Sequence, residues 1–443
     1  MRTYLVRTFG CQMNQHDSER IAGLLEERGL ERARGPEEAD VIVFNTCCVR
    51  ESADGRLYGQ LASLKSLKTG GRPDLIVAVG GCIGQRDGAQ LLHRMRHVDV
   101  VFGTHNISEL PALLDAAEAG RRTARVLEAG EGFASDLPTI LEHPWRAWVS
   151  IMVGCDNHCS YCIVPSVRGP ERSRPSEDIL AEVTALSGRG VVEVTLLGQN
   201  VNSYGRDRYG EPRFAELLRA VGDAGIPRVR FTTSHPKDIS DTTISAIAEV
   251  PSVMPYLHLP VQAGSNRVLA AMNRGYTREE YLALAERIRS AVPGIALSTD
   301  VIVGFPGETE EDFEQTIDLF ERMRFEHAFT FIYSPREGTP AASLEETTPR
   351  AAINRRFDRL TTLVRELAYE SNAREVGETR TLLIEGPSKR DPAVLAGRTP
   401  ANRLVHVPPP ANTNAQALAG TFLEARIVSA HPWFLTGAVV DCA

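Results

Sequence analysis

The feature that most restricts the fold is an alternation of strand and helix patterns, repeated about six times between Trp148 and Tyr333. The strand candidates are Trp148–Val153, Val192–Leu197, Val229–Thr233, Tyr256–Val261, Ile295–Val303 and Ala328–Tyr333. Helical patterns lie between them. One opens at Ser176 and carries Ile179, Leu180 and Val183 on a face. Another opens at Thr309, whose Thr-x-x-Asp pattern to Asp312 is a capping box. Strands that alternate with helices build parallel sheets, and six such units predict an incomplete α/β barrel with its chemistry at the carboxyl ends of the strands.

The same alternation, shorter, fills the first part of the chain. Thr3–Thr8, Val41–Phe44, Leu75–Val79 and Val98–Phe102 are strand candidates. Ile21, Leu24 and Leu25 share one face of a helix that Gly29 closes. Three of these strands run into Gly10-Cys11, Asn45-Thr46-Cys47 and Gly80-Gly81-Cys82. Ligands of parallel sheets bind beyond the carboxyl ends of strands. Cys11, Cys47 and Cys82 can therefore converge despite their separation in sequence. On spacing alone they are either ligands or buried core thiols, for free cysteine is commonly buried.

Residues 130–144 have no sustained period and read as a linker. An amphipathic helix from about Arg350 to Arg374 carries Ile353, Phe357, Leu360, Val364 and Leu367 on one stripe. After Gly377 the texture becomes short and strand-like (Thr381–Ile384, Arg403–Val407, Phe422–Ile427) with glycine and proline punctuation, as in a small β-barrel. The expected organisation is three domains: an α/β domain over 1–140, a partial barrel over 141–374 and a β-barrel over 375–443.

No run approaches the roughly 18 apolar residues of a membrane span, and the start lacks an apolar targeting core, so a cytoplasmic protein is expected. There a framework of disulfides is disfavoured, and the eight cysteines point to metal or catalysis. A net charge of −8 excludes general affinity for nucleic acid; RNA binding would need a local patch or shape.

Cys155, Cys159 and Cys162 have the spacing Cys-x3-Cys-x2-Cys in the loop after the first barrel strand. Thiolates favour iron–sulfur clusters and zinc. Three thiolates without an obvious fourth leave one iron open to a substrate or cofactor. The alternative is a zinc knot closed by His158, but structural zinc sites want four regularly spaced ligands.

With Tyr161 before its last cysteine, at the head of an α/β barrel, this triplet resembles the radical S-adenosylmethionine signature. Its context resembles the methylthiotransferase family: Cys162-Ile163-Val164-Pro165, Arg168-Gly169-Pro170-Glu171-Arg172-Ser173-Arg174-Pro175, Gly198-Gln199-Asn200-Val201-Asn202, His258-Leu259-Pro260-Val261-Gln262 and Gly304-Phe305-Pro306-Gly307-Glu308-Thr309. The last domain resembles the TRAM module, an RNA-binding β-barrel. The resemblance spans nearly the whole chain.

The resemblance implies two 4Fe–4S clusters, one on Cys155, Cys159 and Cys162 and an auxiliary one on Cys11, Cys47 and Cys82. It implies S-adenosylmethionine at the open iron, near Gly198, Gln199, Asn200 and Gly304, where glycine lets backbone approach a ligand. The implied reaction converts N6-dimethylallyladenosine at position 37 of tRNA to its 2-methylthio derivative, with sulfur insertion at C2 and methylation of that sulfur. Cofactor radical chemistry suits an unactivated C–H bond, and an anticodon-loop base can be splayed out for it. A reducing electron donor and a sulfur source are implied partners, and the expected state is a monomer. Related enzymes act on threonylcarbamoyladenosine or on an aspartate of a ribosomal protein; Ile163-Val164-Pro165 and Gly198–Asn202 look more like the dimethylallyladenosine branch. A non-catalytic iron–sulfur carrier is the rival of another class, and leaves the barrel without a purpose.

Arg168, Arg172 and Arg174 are candidates for tRNA phosphates, because arginine pairs with phosphate bidentately. A solvated charged face, or internal pairs with Glu171 and Glu177, is the alternative. The last domain has six basic and five acidic residues, so Lys389, Arg390, Arg398 and Arg403 are its candidate tRNA patch. Cys48 is expected to be a packed or spare thiol and Cys442 incidental.

Overall fold

The computed structural model describes residues 2–48, 51–128, 132–410 and 413–440. The chain starts with a parallel sheet of β1 (Thr3–Thr8), β2 (Glu31–Arg32), β3 (Val41–Thr46), β4 (Ile76–Gly80), β5 (Val100–Phe102) and β6 (Thr123–Arg125), in the order β2-β1-β3-β4-β5-β6. After β1 the chain steps outward to β2 and then returns to the other side of β1 for β3. The strand order therefore reverses between β1 and β3, and parallel sheets open a ligand crevice at such a reversal. Apolar side chains of both sheet faces are buried under helices, Ile42, Phe44 and Val79 on one face and Val41, Val43 and Ala78 on the other.

Six parallel strands follow: β7 (Arg146–Ser150), β10 (Glu193–Leu197), β11 (Arg228–Phe231), β12 (Tyr256–His258), β13 (Ala296–Val303) and β14 (His327–Ile332). They form two three-stranded halves, β11-β10-β7 and β12-β13-β14, touching through one bridge between Val229 and Val253. The expected strand Trp148–Val153 is broken. β7 pairs with β10 as far as Ser150, after which β8 (Met152–Val153) pairs antiparallel with β9 (Arg172–Ser173). That turn carries the cysteine loop away from the barrel wall. The capping box at Thr309 is formed, its amide donating to Asp312 Oδ2 at 2.8 Å.

The helix Arg350–Ala373 buries Ile353, Leu360, Val364 and Leu367 against the barrel core. It leads into β15 (Thr379–Pro387), β16 (Leu395–Arg398), β17 (Leu404–Val407), β18 (Phe422–Ala430) and β19 (Leu435–Val439), which close in the order β15-β16-β17-β19-β18. β16 and β19 lie outside the expected strands, since glycine and alanine dilute their β pattern. The small barrel docks on β11. Arg228 donates to the carbonyls of Arg398 (2.8 Å) and Thr381 (3.0 Å), and Arg230 to those of Pro400 (3.0 Å) and Thr399 (3.1 Å). Bonds to a charged donor contribute about 1.5–3 kcal/mol each, enough to fix the docking. Among the described residues no helix is long and apolar enough to cross a membrane.

Candidate functional site

The cysteine triplet hangs over the carboxyl ends of the barrel strands, and its loop is anchored from two sides. On one side Gln199 Oε1 accepts the Gly154 amide at 2.6 Å, and the Cys155 amide donates to the Gly169 carbonyl at 3.1 Å. On the other, the segment 271–274 takes four bonds. Ser160 donates through Oγ to the Ala271 carbonyl (2.8 Å) and through its amide to the Met272 carbonyl (3.0 Å). Asn273 donates to the His158 carbonyl (2.8 Å), and Arg274 donates to Cys159 Sγ (3.2 Å). Arg274 is 5% exposed. It also reaches the Pro260 carbonyl (2.9 Å), Tyr276 Oη (3.1 Å) and Tyr161 Oη (3.4 Å). Arg274 thus ties the middle cysteine of the loop to the barrel through one buried cation. Burial pushes Cys155 up to about 11 and Cys162 up to about 12.

The donor set fits an iron–sulfur cluster. It offers three thiols and a compensating cation, while His158, the fourth ligand of a zinc knot, is exposed. Among the described residues no three His, Cys, Asp or Glu side chains are arranged to hold a metal ion. A cluster differs from a single ion in presenting separate irons to separate cysteines.

Around this loop the barrel mouth holds buried polar atoms without hydrogen-bond partners: Asn200 Oδ1, both amide atoms of Asn202, Ser234 Oγ, His235 Nε2 and Tyr333 Oη. They follow β10, β11 and β14. Leaving such atoms unpaired costs roughly 1–3 kcal/mol each, so this set suits a polar ligand. Thr233 and Gln262, past β11 and β12, sit at φ 69° and 73°. A β-branched residue there is strained, and such strain gathers at functional sites. At Gly198 and Gly304 packing itself leaves no room for a side chain. A Cβ on Gly198 would lie 2.6 Å from Met152 Cγ, and one on Gly304 2.7 Å from Ile353 Cγ2. Asn200 donates to Asp238 at 2.8 Å.

Cys11, Cys47 and Cys82 follow β1, β3 and β4, three neighbouring strands that flank the reversal. Cys11 caps the helix Gln12–Glu27, and Cys82 lies in the first turn of Gly81–Asp87. Helix N-termini favour anionic ligands. Cys48 is fully buried and donates to Cys82, which holds the Cys82 thiol below its ordinary range; Arg168 acts in the same direction. Burial raises Cys11. Cys442 lies outside the described residues.

The basic candidates divide. Arg168 and Arg174 are 6% and 3% exposed, and their charges are spent internally. Arg168 pairs with Asp17 (2.9 Å) and Arg174 with Glu182 (2.7 Å), rather than with Glu171 and Glu177. Both are therefore withdrawn as tRNA contacts, because a polyanion does not reach them. Arg172 donates to the Gly132 carbonyl at 2.7 Å and lies over the Phe133 ring. Arg403 is tied to Asn372 (2.7 Å) and Ser371 (2.9 Å), and Arg398 to Glu385 (3.1 Å). Lys389 and Arg390 are exposed.

Comparison with known proteins agrees with this layout. Residues 149–320 match the radical SAM superfamily, 3–103 the uncharacterized protein family UPF0004 and 373–440 the TRAM domain. The chain is 50% identical to tRNA-2-methylthio-N(6)-dimethylallyladenosine synthase of Streptomyces coelicolor, over 99% of this chain and 88% of that one. It is 52% identical to the synthase of the same name from Thermobifida fusca, over 91% and 83%. The chain belongs to the tRNA-2-methylthio-N6-dimethylallyladenosine synthase family. Among solved structures, the radical S-adenosylmethionine methyltransferase TsrM from Kitasatospora setae superposes with a TM-score of 0.55 at 15% identity, covering 77% of each chain. At that identity the likeness concerns the fold. A 4Fe–4S cluster and S-adenosylmethionine are the characteristic cofactors of this synthase family within the radical SAM superfamily.

Arg274 and Asn273 are the synthase residues that sequence reasoning missed. Only the tertiary contact of Asn273 and Arg274 with the cysteine loop reveals their place in the site. The one available signal was an arginine three residues after the helix Asn266–Ala271, followed by Gly275-Tyr276.

Proposed function

We propose that this synthase works through two cysteine centres held by three units, residues 1–140, 141–374 and 375–443. Cys155, Cys159 and Cys162 hold one 4Fe–4S cluster, and Cys11, Cys47 and Cys82 hold the auxiliary one that takes part in sulfur delivery. The enzyme converts N6-dimethylallyladenosine in tRNA to its 2-methylthio derivative. When bound, the first cluster and S-adenosylmethionine supply one-electron cleavage of the sulfonium and hence the radical that activates C2 of adenine.

The chain's own residues prepare that chemistry. Arg274 offsets the charge of the Cys159 thiolate, and Gln199 and Gly169 fix the start of the loop. Asn200, Asn202, Ser234, His235 and Tyr333 offer polar atoms at the mouth for S-adenosylmethionine and the flipped base. The observation that carries the reading is the cysteine loop suspended over this mouth by bonds from two sides. The work also requires a reducing electron donor and a sulfur source; we place the enzyme in the cytoplasm as a monomer.

The test is direct. Reconstituted anaerobic protein, given dimethylallylated tRNA, S-adenosylmethionine, a reductant and sulfide, forms the 2-methylthio nucleoside. Formation of 5′-deoxyadenosine with no change in that tRNA, but thiolation of a threonylcarbamoyl tRNA, would move the substrate to the other branch.

For tRNA docking, Lys389 and Arg390 are neighbouring exposed cations of the small barrel, with Arg172 beside the cysteine loop. The double variant Lys389→Gln, Arg390→Gln weakens tRNA binding and lowers the salt slope by about 1–2, as expected for one or two lost phosphate contacts. Unchanged affinity and slope at several salt concentrations would remove these two residues from the interface.

A further inference from the structure

We propose that Arg168 is a positioning residue that joins the two cysteine centres, setting the charge around the auxiliary set while its own turn fixes the first cysteine of the triplet. This rests on the auxiliary-cluster reading above.

Arg168 belongs by sequence to the barrel unit, yet its side chain lies within the amino-terminal one. Its guanidinium pairs with Asp17 at 2.9 Å and lies close enough to Cys82 and Cys11 to act on both electrostatically. The residue before it, Val167, packs with Cys48, Cys82 and Ile83, and its carbonyl accepts from Thr104 Oγ at 2.7 Å. The residue after it, Gly169, accepts the Cys155 amide at 3.1 Å. Pro170 then lies so close to Gly154 that a Cβ there would stand 1.8 Å from its carbonyl oxygen. Four consecutive residues thus touch auxiliary cysteines at one end and the radical triplet at the other. Movement of either centre is transmitted through backbone and one buried ion pair.

The placement of charge is specific. Three thiolate ligands at the crevice accumulate negative charge, and Arg168 is a buried cation beside two of them, Cys82 and Cys11, with Asp17 behind it as partial compensation. A buried arginine is expensive to keep unless it is paired. An arginine serving only to tie two domains together would need Asp17 but not the cysteines.

Signs separate the two roles. In a Cys155→Ala, Cys159→Ala, Cys162→Ala background only the auxiliary cluster remains, and its midpoint potential is read by EPR-monitored titration. Arg168→Met removes a positive neighbour and shifts the potential negative. Asp17→Asn removes a negative neighbour and shifts it positive. Cluster retention against a chelator weakens about 10–100-fold in Arg168→Met, the usual effect of losing a residue that supports ligands. Arg168→Lys restores much of it, and Asp17→Asn, nearly isosteric, guards against mere misfolding. Shifts of the same sign in both variants, or none, overturn the proposal. If the background protein itself carries no cluster signal, the auxiliary-cluster reading falls and takes this proposal with it. That outcome is recognised before any Arg168 variant is made.

Discussion

Replacing Cys155, Cys159 and Cys162 together with alanine abolishes 5′-deoxyadenosine formation and leaves a brown, iron-containing protein. The expectation follows from the separation of the two sets. The triplet sits in a loop above the barrel mouth, whereas Cys11, Cys47 and Cys82 follow three strands of a different sheet. Neither set borrows a thiol from the other by position. The remaining iron should be about half that of the parent, and the loss of 5′-deoxyadenosine should be complete, since no other described group can take over the triplet's role. Iron analysis and chromatography of the cleavage products check both halves. A triple variant devoid of iron would mean a single shared cluster.

Arg274→Met lowers the yield of 5′-deoxyadenosine by about 10–100-fold without removing the three thiols, the range expected when a group supporting metal ligands is lost. The side chain is buried and holds Cys159 Sγ, the Pro260 carbonyl and Tyr276 Oη at once. Methionine keeps the stem and discards the charge, leaving the Pro260 carbonyl only its longer bond from Tyr276 (3.3 Å) and the Cys159 sulfur without its cation. Removing one partner from a buried charge pair costs about 3–5 kcal/mol, so some loosening of the loop accompanies the chemical loss. Arg274→Lys keeps the cation without the planar fork and falls between. Single-turnover cleavage with excess reductant, alongside iron content, separates a shifted potential from a lost cluster. Parent-like cleavage by Arg274→Met would show that the guanidinium is structural filler.

Much of this site could be read before any coordinates. Strand and helix periods placed the cysteines at carboxyl ends, because β1, β3 and β4 are apolar runs that stop at glycine or asparagine just before each thiol. The triplet's spacing is local and needs no tertiary knowledge. What stayed hidden was set by tertiary contact. Arg168 and Arg174 look like a solvated basic run beside Arg172, but the chain carries them into internal pairs with Asp17 and Glu182. Asp17 is 151 residues away from Arg168, beyond any local pattern. Gly304 is also required by packing, since its side-chain space is filled by Ile353 on the helix that follows the next strand. The break after Ser150 escaped notice because Ile151, Met152 and Val153 continue the same apolar run while changing partner from β10 to β9.

The central claim is that this chain adds a methylthio group to dimethylallyladenosine in tRNA. It is tested most directly by mass spectrometry of nucleosides from tRNA of cells lacking the protein. The account predicts that the 2-methylthio form disappears, that N6-dimethylallyladenosine accumulates, and that expression of the chain reverses both. An unchanged level of the 2-methylthio nucleoside in those cells would contradict it.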